Sequence, residues 1–158
     1  MSTSSLSPAT QQLFDAIEHN NPDELRRALD QKADVSAFQK GLTPLHKLVS
    51  CYSELSDAAK YDPLLDILTK HIAAQPNCEC IFNAVDLLRH GTPLHLAVLK
   101  SRTYAIKLLL KVNPNPTCRT PRKRQTPLHL ATKIGKIEVL RLLLESPKLV
   151  ESINAQDY

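Results

Sequence analysis

The sequence has little of what enzyme sites and membrane spans usually require. It contains three glycines, one methionine and no tryptophan among 158 residues, and aromatic residues make up 4% of the chain. It has no glycine-rich phosphate-binding loop and no H-E-x-x-H pattern of a zinc protease. No run of 18 apolar residues occurs, which excludes a membrane-spanning helix. The polar, uncharged start, from Met1 to Pro8, lacks the apolar segment of a secretory signal.

The four cysteines are also few and unevenly spaced, at positions 51, 78, 80 and 118. Without a secretory signal, this spacing favours reduced thiols in the cytoplasm or nucleus over a disulfide framework. Cys78 and Cys80, with His71 close in sequence, raise the question of a metal site. Zinc sites, however, usually place about two to four residues between paired cysteines and add a second ligand pair. We therefore predict no metal ion and no cofactor.

Charge is distributed unevenly along a chain whose composition is otherwise that of a folded domain, with 42% hydrophobic and 23% charged residues. Residues 1–88 contain 7 Lys and Arg against 12 Asp and Glu, a net of −5. Residues 89–158 contain 13 against 4, a net of +9, and the two halves sum to +4. A basic half of this kind indicates an acidic partner.

One phrase occurs three times, as T-P-L-H at Thr43–His46 and as T-P-L-H-L-A at Thr92–Ala97 and Thr126–Ala131. The second and third copies lie 34 residues apart (126 − 92). The sequence thereby resembles the ankyrin-repeat family, whose unit is about 33 residues long and carries a T-P-L-H-x-A signature. The resemblance implies an all-α solenoid of helix-turn-helix units joined by β-hairpin-like loops. It also implies a non-catalytic role in protein–protein interaction.

The phrase has a local physical interpretation as well. Threonine at the N-cap accepts a hydrogen bond from an otherwise unpaired amide, and proline suits the first helical position because no amide partner is needed there. In the family the histidine bonds the backbone of the neighbouring unit, which implies a structural role for His46, His95 and His129. After each phrase, apolar residues at i, i+3 and i+4 predict a second helix, as in residues 137–144.

The repeat register predicts a single domain over residues 1–158. Thr43 and Thr92 are 49 residues apart (92 − 43), so the second repeat must contain about 16 extra residues. The first repeat lacks the phrase and is predicted to be a cap whose polar outer face meets water. The predicted repeats are 8–40, 41–89 with inserts near 50–61 and 73–81, 90–123, and 124–156.

The segment between the two inserts is predicted to be a helix, because Leu64 to Ile72 form an apolar stripe. Asp62 is its predicted N-cap and Pro63 its first helical residue. These two positions repeat the pairing of a capping side chain with proline that the T-P-L-H phrase uses.

The end of the sequence, Ser152-Ile-Asn-Ala-Gln-Asp-Tyr158, is similar to the opening of a further hairpin. The fourth repeat also ends in an apolar helix with no polar cap after it. We therefore expect a piece of a longer protein, in which a catalytic domain could follow residue 158. Ankyrin proteins with long inserts and few glycines are common among bacterial effectors, and by that analogy the chain would act in a host cytoplasm or nucleus.

Glycine usually stands between the paired helices of this family. The corresponding positions here hold Asn20, Ser101 and Gly135. Asparagine tolerates the left-handed backbone conformation and serine does so less well. The replacement of glycine by asparagine and serine at these positions is predicted to affect local stability rather than the fold.

The resemblance implies that recognition uses the concave side, which is formed by the hairpin tips and the exposed faces of the inner helices. The family's variable positions place seven cations there, namely Lys40, Arg89, Lys100, Arg122, Lys123, Arg124 and Lys133. We predict that this basic groove binds an acidic protein segment, with Leu42, Leu88 and Leu99 as apolar anchors. The predicted partner-binding residues are Gln39, Lys40, Leu42, Leu88, Arg89, Leu99, Lys100, Arg122, Lys123, Gln125 and Lys133.

Other functions stay open at this point. The tract from Cys118 to Gln125 could neutralise phosphates or act as a nuclear localisation signal, but it has no aromatic residue for base stacking, which disfavours nucleic acid. The inserts could instead carry recognition, in a substrate-recruiting domain of a larger enzyme or a secreted effector. Cys51 or Cys78 could approach a histidine, but no local signature supports a nucleophile, so no catalytic residue is predicted. We expect a monomer without membrane insertion.

Overall fold

In the computed structural model the chain forms a stack of antiparallel helix pairs. The structure describes residues 5–51, 58–88, 90–112 and 117–154, with side chains for all of these except 58–60 and 152–154. The helices within these ranges are α1 Pro8–Glu18, α2 Pro22–Asp30, α3 Pro44–Ser50, α4 Ala58–Ala73, α5 Cys78–Phe82, α6 Pro93–Leu99, α7 Thr103–Val112, α8 Pro127–Ile134, α9 Ile137–Leu144 and α10 Pro147–Asn154.

The starts of the inner helices follow the predicted capping chemistry. Thr43, Thr92 and Thr126 are the N-caps of α3, α6 and α8, each with extended backbone dihedrals and proline at the next position. The Thr43 hydroxyl accepts the backbone N–H of His46 at 3.3 Å. In the first pair, Ser7 caps α1 and Asn21 caps α2. The sequence signal for helix starts is confirmed at all three copies of the phrase.

The helices form two layers. Within the pairs, α1 packs on α2, α3 on α4, α6 on α7 and α8 on α9. Along the stack, the inner helices α1, α3, α6 and α8 contact one another in turn, and the outer helices α2, α4, α7 and α9 do the same. The buried side chains form one continuous apolar core through the stack. This arrangement confirms the predicted all-α solenoid.

The loops that join the pairs are turns rather than hairpins. Within the described residues there is no β-strand, and the single bridge joins Gln39 and Leu42. The predicted hairpin-like connections are thus reduced to short turns held by individual hydrogen bonds.

The predicted start of the fourth helix is wrong. Helix α4 begins at Ala58, five residues before Pro63 (63 − 58), which lies inside it. Alanine and lysine favour helix upstream of the proline, although Pro63 removes the hydrogen bond to the carbonyl of residue 59 and crowds that carbonyl. The first insert is shorter than expected as a result, and its residues 52–57 lie outside the described part of the chain.

The second insert contains a helix that the sequence reading missed. Helix α5 follows the end of α4 and packs against it. Its last two residues, Ile81 and Phe82, are buried in the common core. This insert therefore contributes to the core instead of forming a surface loop.

The expectation that Ser152 to Tyr158 opens a hairpin is wrong for the residues that the structure describes. Positions 152–154 are the last residues of α10, and 155–158 lie outside the described residues. Leu149 of α10 is buried, and the helix packs on α9. Leu149 therefore anchors α10 on the end of the described stack.

The three positions where the family usually has glycine do require a left-handed backbone. The φ angles are 52° at Asn20, 55° at Ser101 and 73° at Gly135. A serine in this region costs more than glycine, because its Cβ approaches the following carbonyl. The prediction that the low glycine content marks local strain within an intact fold agrees with these angles.

Candidate partner-binding surface

Three short loops, which we call the tips, precede the capping threonines: the first tip is 38–42, the second 87–91 and the third 121–125. In the first tip, Gln39 and Leu42 exchange backbone hydrogen bonds of 2.9 and 3.1 Å. The residues between them, Lys40 and Gly41, have φ angles of 52° and 84°. Two consecutive positive φ angles in a two-residue loop give a tight, twisted turn that exposes the Lys40 side chain.

The second tip is braced by a buried carboxylate. Asp86 Oδ1 accepts the Gly91 N–H at 2.8 Å, and Oδ2 bonds Nδ1 of His90 at 2.7 Å. The Asp86 N–H also donates to the Gly91 carbonyl at 3.0 Å. The loop closed in this way leaves Leu87 and Leu88 66% and 52% exposed. The predicted site residue Arg89 lies outside the described residues.

The third tip uses threonine where the second uses aspartate. The Thr120 N–H donates to the Gln125 carbonyl at 2.8 Å, and the Thr120 hydroxyl accepts the Gln125 N–H at 3.1 Å. The Arg124 N–H donates to the Thr120 carbonyl at 3.0 Å. The exposed side chains of Arg122, Lys123 and Arg124 therefore project from a backbone that hydrogen bonds hold in one conformation.

Two of the three histidines tie successive helix pairs together, as the resemblance implied. Nε2 of His46 donates to the Gly91 carbonyl at 2.9 Å, and Nε2 of His95 donates to the Gln125 carbonyl at 3.0 Å. Burial lowers the pKa of both rings below the ordinary value of 6.5, because it disfavours the charged form. The ring of His129, in the last pair, is exposed and still bonds the Thr126 hydroxyl at 2.8 Å.

A buried lysine on the inner face is neutralised within the chain. Lys47 stands where the other two copies of the phrase have leucine. Its ammonium bonds the carboxylate of Glu18 and the side-chain oxygen of Gln39 (2.8 Å), and it lies 5.3 Å from the centre of the Phe14 ring. Its hydrogen bond and charge lower the pKa of Glu18 below 4.5. The sequence reading missed Lys47, although a charged residue within an apolar phrase was a visible signal.

The predicted binding residues lie in different places in the structure. Gln39 joins the Lys47 cluster and also bonds Gln11 at 3.2 Å, while Leu42 and Gln125 are half-buried. Leu99 and Lys100 are exposed at the carboxyl end of α6, and Lys133 is exposed in the last turn of α8. An inner helix of this length separates those ends from the tips by about 10 Å.

Cations of the third tip and of the end of α8 are not compensated by acidic residues in the described part of the chain. Arg122, Lys123 and Lys133 form no ion pair with any residue that the structure describes. This differs from Lys47, whose charge is compensated inside the chain. These three uncompensated cations lie in the third tip and in α8.

All four cysteines are free thiols. Cys51 and Cys118 are half-buried, and burial raises the pKa of both thiols. Across the described residues, no three histidine, cysteine, aspartate or glutamate side chains cluster in a way that could hold a metal ion. In the same residues, no helix is both long and apolar enough to cross a membrane.

Comparison with known proteins agrees with the fold. The chain is similar to the glycerophosphocholine phosphodiesterase gde1 of Schizosaccharomyces pombe, with 29% identity over 144 residues. The match covers 90% of this chain and 12% of that protein, so the chain spans only a small part of the length of this relative. The family described as "Ankyrin repeats (3 copies)" matches residues 55–157. With its stacked helix pairs, capping threonines and histidine ties, the chain belongs to the ankyrin-repeat family.

Proposed function

We propose that the chain binds an acidic segment of a partner protein through the cations of its tips and inner-helix ends. Ankyrin repeats generally mediate protein–protein interaction. The observation that supports the acidic partner is the third tip, where Arg122, Lys123 and Arg124 are exposed on a hydrogen-bonded backbone. Arg122 and Lys123 have no ion-pair partner among the described residues.

The hydrogen-bonded backbone of the first and third tips favours binding. Binding costs free energy when loops and side chains must be ordered, and loops that are already held by hydrogen bonds lose less freedom. The unpaired cations attract an acidic segment over a distance and raise its association rate, an effect that salt weakens. Leu88 and Leu99, which are both exposed, supply apolar contacts beside the charges.

The proposal extends to the organisation of the chain. The four helix pairs support a single ankyrin domain over residues 1–158, with repeats near 8–40, 41–89, 90–123 and 124–156. We propose that it acts as one rigid, monomeric surface without a catalytic residue or cofactor of its own.

Affinity capture from a cell lysate tests the basic surface. The double variant Arg122→Glu with Lys123→Glu is expected to lose the proteins that the natural chain captures, while its helicity and melting temperature stay the same. The matched control is Lys107→Glu with Arg141→Glu, because both residues are exposed and lie on the outer helices α7 and α9. Equal capture by the tip variant and the natural chain would show that the proposal is wrong.

A second candidate function is recruitment for a larger enzyme. The enzyme gde1 contains a region similar to 90% of this chain. In that case the chain would present a partner or substrate protein to a catalytic domain elsewhere, and the first insert would carry recognition. Deleting residues 52–57 separates the two candidates, since loss of capture by this deletion, with capture intact in the tip variant, favours the insert.

A further inference from the structure

The tips carry an apolar row that the basic surface does not account for. The residue five positions before each capping threonine is Phe38 in the first tip, Leu87 in the second and Pro121 in the third. All three are exposed, and Leu87 is 66% exposed. A contiguous exposed apolar patch marks a docking site, and these positions place apolar side chains on three successive loops.

A cationic row accompanies the apolar row. The residue three positions before each threonine is Lys40, Arg89 or Lys123. Lys40 and Lys123 are exposed, and Arg89 lies outside the described residues. The first and third tips therefore each carry one apolar and one cationic residue, two positions apart.

The tips are close enough to form one surface. The Leu87 N–H donates to the Gly41 carbonyl at 2.8 Å, which links the first and second tips. A Cβ atom placed on Gly91 would lie 3.1 Å from a Thr120 methyl group, so the backbone of the second tip closely approaches the third loop. Packed helices lie about 10 Å apart, which sets the spacing of the tips along the stack.

We propose that the two rows together bind an acidic amphipathic helix of a partner protein, with apolar residues at i, i+7 and i+14. Seven helical residues rise about 10.5 Å and return to the same face, which matches the spacing of the tips. An extended strand covers 10 Å in about three residues and would turn alternate side chains away from the row. This inference rests on the proposed acidic partner and adds that the bound segment of that partner is an amphipathic helix.

The charge of the rows disfavours a second copy of this chain as the occupant. Two copies that met through their tips would bring Lys40 and Lys123 of one against the same cations of the other, and like charges at an interface oppose association. An acidic helix complements the same cations. An anionic membrane is a different occupant, and the experiment below distinguishes it from an acidic helix.

Two synthetic helical peptides of equal negative charge test the inference, one with leucine at i, i+7 and i+14 and one with glutamine there. We expect the natural chain to bind the leucine peptide at least ~10-fold more tightly, the effect of burying about one leucine side chain. Leu87→Ser should reduce this ratio to below ~3-fold, and Phe38→Ser should lower it in the same direction. Ile137→Ser should leave the ratio unchanged, since Ile137 is equally exposed, at 68%, but lies on α9.

Each alternative has its own result. Equal binding of both peptides would show that the apolar row does not contribute to binding. The same conclusion would follow if the ratio of the two affinities were undiminished in Leu87→Ser and Phe38→Ser. Neither result would contradict the proposed acidic partner. Binding of neither peptide at low salt contradicts the proposed function itself. Tighter binding to phosphatidylserine vesicles than to the leucine peptide overturns the inference in favour of a membrane. A dimer in sedimentation that Leu87→Ser abolishes overturns it in favour of a second copy.

Discussion

The inner helices α3 and α8 begin with the same phrase but present its polar groups in opposite ways. On α3, His46 is buried against the Gly91 carbonyl, and Lys47 is buried against Glu18. On α8, His129 and Lys133 are exposed, and the adjacent third tip carries three exposed cations. The early pairs therefore use their polar groups for internal contacts, whereas the last pair leaves them available.

This difference shows that position in the stack changes the role of a motif. A histidine followed by another pair is desolvated and bonds the next loop, while the histidine of the last described pair keeps only its local threonine contact. In the same way, a cation next to a carboxylate stabilises the fold, and a cation without one can attract a partner. Substitutions at equivalent positions should therefore affect different properties.

The largest expected difference is between His95 and His129. His95→Ala should lower the free energy of unfolding by ~2–4 kcal/mol, because a buried carbonyl and hydroxyl lose their partner and a cavity forms. His129→Ala should change it by less than ~0.5 kcal/mol, since the ring is exposed. Urea unfolding of both variants measures the two values, and equal losses would contradict the distinction between inner and terminal pairs.

A smaller difference is expected between Lys47 and Arg122. Lys47→Ala should lower the free energy of unfolding by ~1–2 kcal/mol, because it removes two hydrogen bonds and the packing of a buried side chain. Arg122→Ala should change stability by less than ~0.5 kcal/mol but should weaken binding of the captured partner. Chemical denaturation measures the stability of both variants, and a binding titration measures their affinity. A loss of binding without a loss of stability in Lys47→Ala would contradict the difference expected between the two residues.

The smallest expected effect is on the pH dependence of stability. The lowered pKa values of His46 and His95 mean that the unfolded chain takes up protons near pH 6.5 that the folded chain does not. Stability should therefore fall as pH decreases from about 7.5 to 5.5, before the Glu18 pair is lost below about pH 4.5. The urea midpoint followed over this range should drop less in His95→Gln than in the natural chain. His129→Gln should show the full drop, and an identical drop in all three proteins would argue against the histidine assignment.

The features that sequence predicts best here depend on local rules. The capping threonines and the prolines after them follow from a repeated phrase whose chemistry is confined to a few neighbouring residues. The ties made by His46 and His95 join residues 45 and 30 positions apart, and they were implied by the family resemblance instead. The left-handed backbone at Asn20 and Ser101 follows from the register alone. These elements could be predicted because each one is repeated along the chain.

The features that sequence missed depend on distant contacts. Helix α5 forms where Phe82 and Ile81 can enter the core, and no repeat signals that. The start of α4 ahead of Pro63 and the helical residues 152–154 likewise break the repeat register. In the candidate site, the exposed cations of the third tip could be read from the register, but the neutralisation of Lys47 by Glu18 required two residues 29 positions apart to meet.

The most direct test of the account compares two charge reversals of equal size in one binding assay. The probe is the acidic leucine peptide, titrated at low and at physiological salt. The account predicts that Arg122→Glu with Lys123→Glu weakens binding at least ~100-fold at low salt, about 1.4 kcal/mol per tenfold, whereas Lys107→Glu with Arg141→Glu weakens it by less than ~5-fold. Equal losses in the two variants would mean that net charge alone attracts the peptide, and this would contradict a binding surface at the tips.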